Sequence, residues 1–145
     1  AVRFAADGRA VVVSSQDGAV VKWDWITGRV EEGDRATEGM LEAADLSADG
    51  QRILGAHGPW VTTWRSNTWE ILSRRALHTG RTMALALSPD GTRVATAGTD
   101  RIVKVHFVRD ARPGPLTAHR GDVWSIAFSP DGTHLVSGGN DGQVR

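Results

Sequence analysis

Four of the six Asp-Gly pairs in this chain stand at nearly constant spacing. Their Asp residues are separated by 42, 41 and 41 positions, and each pair follows a hydrophobic run and a small residue. A repeat of about 40–45 residues built from strands and turns is typical of stacked β-sheet units, each of which buries an apolar face against its neighbour. The four pairs are Asp7-Gly8, Asp49-Gly50, Asp90-Gly91 and Asp131-Gly132.

This period predicts an all-β fold of four-stranded antiparallel units, the blades of a β-propeller. The 145 residues hold roughly three and a half such units, whereas closed propellers usually have about four to eight. The sequence begins within the first strand of one unit and stops within the third strand of another. We therefore expect residues 1–145 to form a partial propeller, either a piece of a longer one or a half that associates.

The fourth unit shows the strand and turn pattern in its simplest form. The run Val123–Phe128 is rich in β-branched and aromatic residues, which favours a strand. Ser, Pro, Asp and Gly at 129–132 suit the four positions of a type I turn. Strands are predicted to follow at 133–137 and from 143. The same offsets predict strands at 9–13, Val20–Asp24, Thr82–Leu87, 92–96, Ile102–Phe107 and around Ile71-Leu72.

The overall composition argues against several classes of partner. The formal net charge is zero, so nothing favours nucleic acid or an anionic membrane. There is no Cys, which excludes disulfides and Cys-based zinc sites. No apolar run approaches the ~18 residues of a membrane span. We expect a cytoplasmic protein that binds neither nucleic acid nor membrane.

The motifs of these units resemble those of the WD40-repeat family, and the match extends over essentially the whole chain. That family's unit runs Gly-His, a strand, Ser-Pro-Asp-Gly, a strand ending in Ser-Gly, a turn with Asp, and a strand ending in Trp-Asp. The matching residues here are Ala118-His119, the turn at 129–132, Ser137-Gly138, Asp141 and the complete Trp23-Asp24. Arg outnumbers Lys by 15 to 2, which gives a bacterial-looking composition.

The resemblance implies a non-catalytic scaffold or sensor segment that binds a partner protein and needs no cofactor. Two alternatives remain open. The chain could be a half-propeller that associates with another copy, or with the rest of its own propeller, into a ring of about seven blades. It could also be the regulatory portion of a larger signalling enzyme.

The family's structural tetrad joins His, Ser or Thr, Asp and Trp of one blade by hydrogen bonds. By position, the resemblance assigns this role to His119, Ser137, Asp141, His78, Thr96, Asp100, Asp17, Trp23 and Trp64. The second unit departs most, with Thr37 at the His position and Gly55 at the hydroxyl position. In the third unit, His106 stands where Trp is expected. We therefore expect the third and fourth blades to be better fixed than the second.

The same residue types raise two chemical alternatives. His119, Ser137 and Asp141 are those of a hydrolase triad. Their repetition in the third unit favours architecture over catalysis, because a catalytic set is needed only once. None of the five histidines forms a HxH or HExxH pair, and we predict no metal site.

The variable positions at one end of the strands are the candidates for partner binding. In the family, the residues around the start of the first strand and before the turn Asp face the top rim. Arg, Met and Trp at such positions are good interface anchors. These candidates are Trp124, Asp122, Arg81, Met83, Met40, Glu42, Gln16, Thr99 and Asn140.

Overall fold

The computed structural model describes residues 2–4, 8–15, 17–33, 40–108 and 114–145. Within these ranges every regular element is a β-strand. The strands are β1 (Val2–Phe4), β2 (Ala10–Ser14), β3 (Val20–Asp24), β4 (Arg29–Glu32), β5 (Ala43–Leu46), β6 (Arg52–His57), β7 (Trp60–Arg65), β8 (Ile71–Ala76), β9 (Thr82–Leu87), β10 (Arg93–Gly98), β11 (Ile102–Phe107), β12 (Gly114–Ala118), β13 (Val123–Phe128) and β14 (Leu135–Gly139).

These strands form antiparallel sheets whose order follows the chain. Sheet 1 contains β1–β4, sheet 2 contains β5–β8, sheet 3 contains β9–β12, and sheet 4 is the pair β13–β14. In the described residues the sheets thus have four, four, four and two strands. The predicted all-β fold of antiparallel units is confirmed.

The predicted strands agree closely with the observed ones. β3, β9, β11 and β13 have the predicted bounds. β2 and β10 each begin one residue later than predicted, and β14 begins at Leu135 rather than at 133. After residue 143, the described chain has an isolated bridge between Gly138 and Val144 instead of a regular strand.

Side-chain hydrogen bonds stabilise the turn that precedes β14. Ser129 Oγ donates to Asp131 Oδ1 at 2.5 Å, and the N–H groups of Thr133 and His134 donate to Asp131 and to Ser129 Oγ. These side chains satisfy the N–H groups after Gly132, so the turn extends beyond the glycine. The N–H of Gly132 donates to Ser129 O at 2.8 Å, which is the expected bond between the first and fourth turn residues.

The four predicted Asp-Gly turns share a further property, the left-handed backbone of their glycines. Their φ angles lie between 66° and 69° for Gly8, Gly50, Gly91 and Gly132. A side chain at these positions would be strained. The repeated glycine is therefore required by the backbone and not only favoured by turn statistics.

Successive sheets pack face to face in chain order. Val12 and Val20 of sheet 1 lie in one core cluster with Ile53 and Trp64 of sheet 2. A second cluster joins sheets 2 and 3, and a third joins sheets 3 and 4. The first strands of neighbouring sheets contact each other, since β5 contacts β9 and β9 contacts β13. The starts of these strands are thereby gathered at one end of the molecule.

A carboxylate links the first strands of sheets 2 and 3. Asp45 in β5 accepts a hydrogen bond from the N–H of Leu87 in β9 at 2.8 Å. It also accepts one from Leu46 N at 2.9 Å. An N–H on a free strand edge needs a partner, and here the neighbouring sheet supplies it.

Candidate functional site

Sheet 3 contains a buried hydrogen-bonded set centred on His78. Its Nδ1 lies 2.9 Å from both carboxylate oxygens of Asp100, and its Nε2 lies 2.9 Å from Thr96 Oγ1. Burial lowers the pKa of His78, although hydrogen bonding to Asp100 and its charge act in the opposite direction. A neutral ring with its proton on Nδ1 donates to Asp100 and accepts from Thr96, which satisfies all three groups.

Sheet 4 repeats this arrangement around His119. Its Nδ1 lies 3.1 and 3.2 Å from the carboxylate oxygens of Asp141, and its Nε2 lies 2.8 Å from Ser137 Oγ. Hydrogen bonds from the N–H of Arg120 and then from His119 lower the pKa of Asp141 to about 2. In both sheets the structure brings together the His, hydroxyl and Asp residues that the resemblance implies.

In this hydrogen-bonded set His119 lies between Asp141 and Ser137, as the histidine lies between the acid and the serine of a Ser-His-Asp catalytic triad. Two observations separate this set from a catalytic one. The Ser137 hydroxyl is buried within sheet 4 and bonded to His119. The same set occurs in sheet 3 with Thr96 in place of the serine. Both observations agree with an architectural role.

Among the described residues, sheet 2 has no such set, and its tetrad residue Trp64 fills the space instead. Trp64 is 2% exposed, yet its Nε1 has no hydrogen-bond partner among the described residues. A Cβ at Gly55 would lie 2.8 Å from the Trp64 ring and 2.7 Å from Leu41. The indole and Leu41 therefore occupy the volume that a Ser side chain would take at this position.

Sheet 2 has a buried polar contact at His57, a histidine that sequence reasoning did not assign to a site. His57 Nε2 lies 3.3 Å from Thr62 Oγ1, and both side chains are buried. Burial, followed by the charge of Arg74, lowers the pKa of His57. This pair lies on the strands β6 and β7, whereas the tetrad motif places its His before the first strand. No motif could have identified it.

Sheet 1 contains two of the predicted tetrad residues, Asp17 and Trp23. Asp17 accepts a hydrogen bond from Ala19 N at 3.2 Å within its own turn. Trp23 is 46% exposed, although it is paired with Val11 and Val30 across the sheet. Trp23 lies on the sheet face that no described sheet covers.

His106 takes the Trp position of sheet 3 and is buried without partners. Neither ring nitrogen has a hydrogen bond among the described residues. Burial, followed by the charges of His78, Lys104 and Arg75, lowers the pKa of His106 to about 4. The ring lines a cavity of about 30 Å³ between sheets 2 and 3, beside Leu54 and Val61. It is therefore a neutral side chain at neutral pH.

At the predicted rim, Glu42 is not an exposed anchor. Its side chain is 5% exposed, and Arg81 donates to its Oε1 from Nε and Nη2, both at 2.9 Å. The N–H of Gly58 donates to Oε2 at 3.2 Å. Because Glu42 precedes β5 and Arg81 precedes β9, this ion pair joins sheets 2 and 3. We call these two residues the inter-sheet pair.

Four rim candidates form two similar pairs within single sheets. The N–H of Thr99 donates to Arg81 O at 2.9 Å, and the N–H of Asn140 donates to Asp122 O at 2.9 Å. Thr99 Oγ1 also accepts from Arg81 N at 2.9 Å. Thr99 and Asn140 thus hold the starts of β9 and β13 in place, in addition to any contact with a partner.

Three of the rim candidates share one cavity, of about 170 Å³. Met83 and Trp124 lie in its wall with Glu42, among small residues of the first strands. Trp124 is 62% exposed. Met40, two positions before Glu42 in the sequence, is also exposed. Gln16 lies outside the described residues. The structure therefore brings together three predicted rim residues, one each from the starts of sheets 2, 3 and 4.

A groove of about 880 Å³ lies at the opposite end of the strands, and sequence reasoning did not select it. The turns of sheets 2 and 3 form it, with Asp49, Asp90 and Phe107 in its wall. Hydrogen bonds, first from Ser88 and then from Thr92, lower the pKa of Asp90 to about 2. Asp49 is likewise bonded to Ser47. Both carboxylates are occupied within their own turns.

The described part of the chain also bears on metal binding and on membrane spanning. No group of three His, Asp or Glu side chains there could hold a metal ion. The same residues include no helix that could span a membrane.

Known proteins resemble this chain in two ways. The family described as WD domain, G-beta repeat matches residues 70–106 and 113–145. Apoptotic protease-activating factor 1 of Rattus norvegicus is 27% identical over 106 residues, covering 72% of this chain and 8% of that protein. The Mus musculus protein of that name is 28% identical over 99 residues, covering 68% and 8%. The chain thus spans about 8% of the length of these curated relatives.

The two matched segments contain the buried sets of sheets 3 and 4 in full. They include Thr96 and Asp100 in the first segment, and His119, Ser137 and Asp141 in the second. WD40 repeats are non-catalytic units that generally mediate protein–protein interaction. Motif, geometry and family match agree that residues 70–106 and 113–145 are WD40 repeats.

Proposed function

We propose that this chain is a non-catalytic protein-interaction module, formed by blades of a partial propeller that spans residues 1–145. Its docking surface is the end of the sheets where Met83 and Trp124 lie. The observation that carries the proposal is the exposure of Trp124, 62%, at the wall of the 170 Å³ cavity. A large exposed aromatic side chain beside a cavity is typical of an interface anchor.

The chemistry of this cavity suits an apolar side chain of a partner protein. Met83 is a flexible, polarizable neighbour, and Ala43, Ala44 and Ala84 leave the space between the first strands open. The cavity also lies at the junction of three sheets, so its wall is built from strands and not from a loop. Such a site binds with little loss of backbone freedom.

Polar groups around the cavity supply the rim of the proposed interface. Arg81 is half exposed, and its charge is balanced by Glu42. Asp122 stands two positions before Trp124 in the sequence, and the N–H of Asn140 donates to Asp122 O. An apolar centre with a polar border is the usual anatomy of a protein interface. The surface therefore favours a peptide or loop with an apolar anchor over a highly charged ligand.

Selection from a random-peptide display library tests this proposal. Peptides selected on the wild-type chain are measured again on Trp124→Ala and on Phe107→Ala. Phe107 is a matched control, because it is 58% exposed and lies at the opposite end of its sheet. We expect Trp124→Ala to weaken binding about tenfold or more, as for an interface anchor, and Phe107→Ala to leave it unchanged.

Two outcomes would contradict the docking surface. Selected peptides that bind both variants as well as the wild type would place recognition elsewhere. Failure to select any peptide on the folded wild-type chain would remove the proposed anchor role of Trp124. Far-UV circular dichroism of each variant shows whether its sheets are intact.

A second candidate function follows from the relatives. Two of them are named as activating factors of an apoptotic protease, and the chain matches a small part of each. Residues 1–145 would then be a regulatory segment of a larger signalling protein. In that protein, Trp124→Ala should change the output of the effector part as much as deletion of the whole segment does. An unchanged output in both variants would exclude this candidate.

A further inference from the structure

The cavity of about 30 Å³ between sheets 2 and 3 lies beside the buried ring of His106. His106 takes the position in its sheet that Trp64 holds in sheet 2. An imidazole ring is smaller than an indole, which leaves room beside it between the two sheets. We call this space the His106 cavity.

Polar groups of sheet 2 face the His106 cavity opposite the ring. Thr63 on β7 pairs directly with Ser73 on β8, and both side chains line the cavity. Arg75, two positions after Ser73, lines it as well, so these three side chains share one face of sheet 2. Across the cavity, neither ring nitrogen of His106 has a hydrogen bond among the described residues, and the residue is 3% exposed. Since buried polar atoms are nearly always paired, an occupant that forms hydrogen bonds would satisfy the ring.

The volume of the cavity limits this occupant to one small particle. A cavity needs roughly 10–15 Å³ to hold a water molecule, so the 30 Å³ found here accommodates one water molecule or one monatomic ion. A phosphate or sulfate group is larger than a water molecule and does not fit. Size alone does not distinguish water from an ion, whereas the surrounding charges do.

The charged groups beside the His106 cavity are positive. Arg75 lines the cavity, and the ammonium group of Lys104 donates to the carbonyl of Leu77, another residue of its wall. Burial is the largest cause of the low pKa of His106, and the charges of His78 and of these two cations add to it. The ring therefore lies in a positive electrostatic field.

No carboxylate balances these charges on the second to fourth strands of sheets 2 and 3. The sequences of β6, β7, β8, β10, β11 and β12 contain neither Asp nor Glu. The cations on these strands are Arg52, Arg65, Arg74, Arg75, Arg93 and Lys104. Arg65 is paired with Glu70, and Arg93 donates to Gly132 O. Among the described residues, no ion pair joins Arg75 or Lys104 to a carboxylate.

We propose that the His106 cavity binds one small monovalent anion, such as chloride, between the His106 ring and the hydroxyl groups of Thr63 and Ser73. The ring N–H and the hydroxyl groups donate hydrogen bonds to the anion, and the charge of Arg75 attracts it. The positive field disfavours a metal cation, and a water molecule lacks the charge that would balance the field. Because the donors stand on both sheets, the bound anion joins sheet 2 to sheet 3.

Binding of the anion should depend on pH through His106. An anion beside the ring favours its charged form, so the pKa of His106 should be higher with the anion bound than the value of about 4 set by the protein groups alone. Protonation and anion binding then strengthen each other, and the affinity for chloride should rise as the solution becomes more acidic.

The other groups that face the ring do not produce this pH dependence. Arg75 on β8 and Lys104 on β11 keep their charge over the range in which His106 titrates. Burial lowers the pKa of His78, which stands after β8, and Asp100 accepts its hydrogen bond. The strands β6, β7 and β10 line the cavity only with apolar or hydroxyl side chains.

This site is independent of the proposed docking surface. No residue that lines the His106 cavity also lines the cavity beside Met83 and Trp124. Loss of anion binding should leave peptide binding unchanged, and the reverse also holds. The two proposals can therefore fail separately.

Nuclear magnetic resonance of the histidine rings tests the proposal on the 145-residue chain. The pKa of His106 is measured in sodium chloride and in sodium gluconate at equal ionic strength, because gluconate is too large for the cavity. We expect chloride to raise this pKa, corresponding to about tenfold or more tighter proton binding. The exposed His134 is the internal control, and its pKa should be the same in both salts. Equal pKa values for His106 in the two salts would overturn the proposal.

Two neighbouring arginines separate the cavity from the general positive charge of the surface. Arg75→Gln removes the charge in the cavity wall, whereas Arg74→Gln removes one on the other face of β8, where Arg74 lies over Trp60. Chloride affinity is obtained at about pH 5 from the gain in stability to urea as chloride replaces gluconate. We expect Arg75→Gln to weaken binding about tenfold and Arg74→Gln to leave it unchanged. Equal losses in the two variants would assign the effect to the surface and contradict the site.

Crystals grown in sodium bromide locate the ion directly. Bromide resembles chloride and gives an anomalous X-ray signal, which water does not. We expect an anomalous peak within hydrogen-bond distance of a ring nitrogen of His106 and of the Thr63 or Ser73 hydroxyl. Peaks at the surface only would mean an adventitious ion only, and density in the cavity without an anomalous signal would mean a water molecule. Either result would overturn the inference.

Discussion

Sheets 2 and 3 stabilise equivalent positions by opposite means. Sheet 3 joins His78, Thr96 and Asp100 by hydrogen bonds and leaves His106, at the Trp position, without a partner. Sheet 2 has Gly55 at the hydroxyl position and fills the space with the ring of Trp64. A polar set and a packed indole therefore substitute for each other within one repeated architecture.

Each arrangement leaves buried polar atoms without hydrogen bonds, which lowers the stability of the fold. The indole N–H of sheet 2 and both ring nitrogens of His106 are buried without hydrogen bonds in the described structure. An unsatisfied buried polar atom costs about 1–3 kcal/mol. In sheet 2 the packing of a large ring offsets this cost, whereas in sheet 3 the neighbouring polar set does so.

The largest effect should come from removing the ring that fills sheet 2. Trp64→Ala should lower the free energy of unfolding by about 3–5 kcal/mol, because a fully buried aromatic side chain leaves a cavity. Trp23→Ala, at an exposed Trp of the same motif position, should cost clearly less. Urea unfolding at equal protein concentration measures both. Equal losses would show that Trp64 does not carry the packing of sheet 2.

Acid should weaken the junction of sheets 2 and 3 through His106. Its pKa of about 4 in the folded chain lies below the ordinary value of 6.5, so folding favours the neutral ring. The resulting stability is fully present above pH 6.5 and is lost as the pH falls towards 4. The difference corresponds to roughly 3 kcal/mol.

The variant His106→Leu isolates this effect from that of the other histidines and carboxylates. Its stability should fall less than that of the wild type between pH 6.5 and pH 4, as measured by urea unfolding at each pH. Parallel pH curves for the two chains would rule out a role for His106.

Loss of the polar set should cost less than loss of Trp64 but more than loss of the His57–Thr62 contact in sheet 2. His78→Phe leaves Asp100 and Thr96 without their shared partner, and we expect a loss of about 2–3 kcal/mol. His57→Phe breaks one longer contact, that with Thr62, and should cost about 1 kcal/mol. The reverse order in thermal unfolding would contradict the expected ranking.

Returning a hydroxyl to sheet 2 should have a smaller effect than loss of His78. Gly55→Ser places a Cβ against the Trp64 ring, and overpacking should cost about 1–2 kcal/mol. Gly138→Ser is the matched control, since a Cβ there meets nothing within 4 Å. If Gly55→Ser stabilised the chain, the packed Trp64 ring would not be compensating for the missing hydroxyl of sheet 2.

The fold was predictable from sequence because its determinants are local and repeated. Each Ser-x-Asp-Gly turn is formed by residues at most five positions apart, and the strands follow at fixed offsets. The motif positions also predicted the observed hydrogen-bond partners of His78 and His119. Exact strand starts were less predictable, since the turn side chains take up the N–H groups of the next residues.

The missed features are contacts between units that occur once. Glu42 was expected at an exposed rim, but Arg81 and Gly58 N hold its carboxylate below the surface. Its counterparts one and two repeats later are Met83 and Trp124, so periodicity gives no sign of an ion pair. The contact between His57 and Thr62 likewise has no counterpart in the other described sheets.

The spans of these hydrogen bonds imply an order of folding. Bonds within the repeated turns join residues two to five positions apart, as between Ser88 and Asp90 or Arg93. The bonds of His78 span 18 and 22 positions. Those of Glu42 with Arg81 and of Asp45 with Leu87 span 39 and 42. Short loops close at the least entropic cost, so turns should form first, single sheets next, and their junctions last.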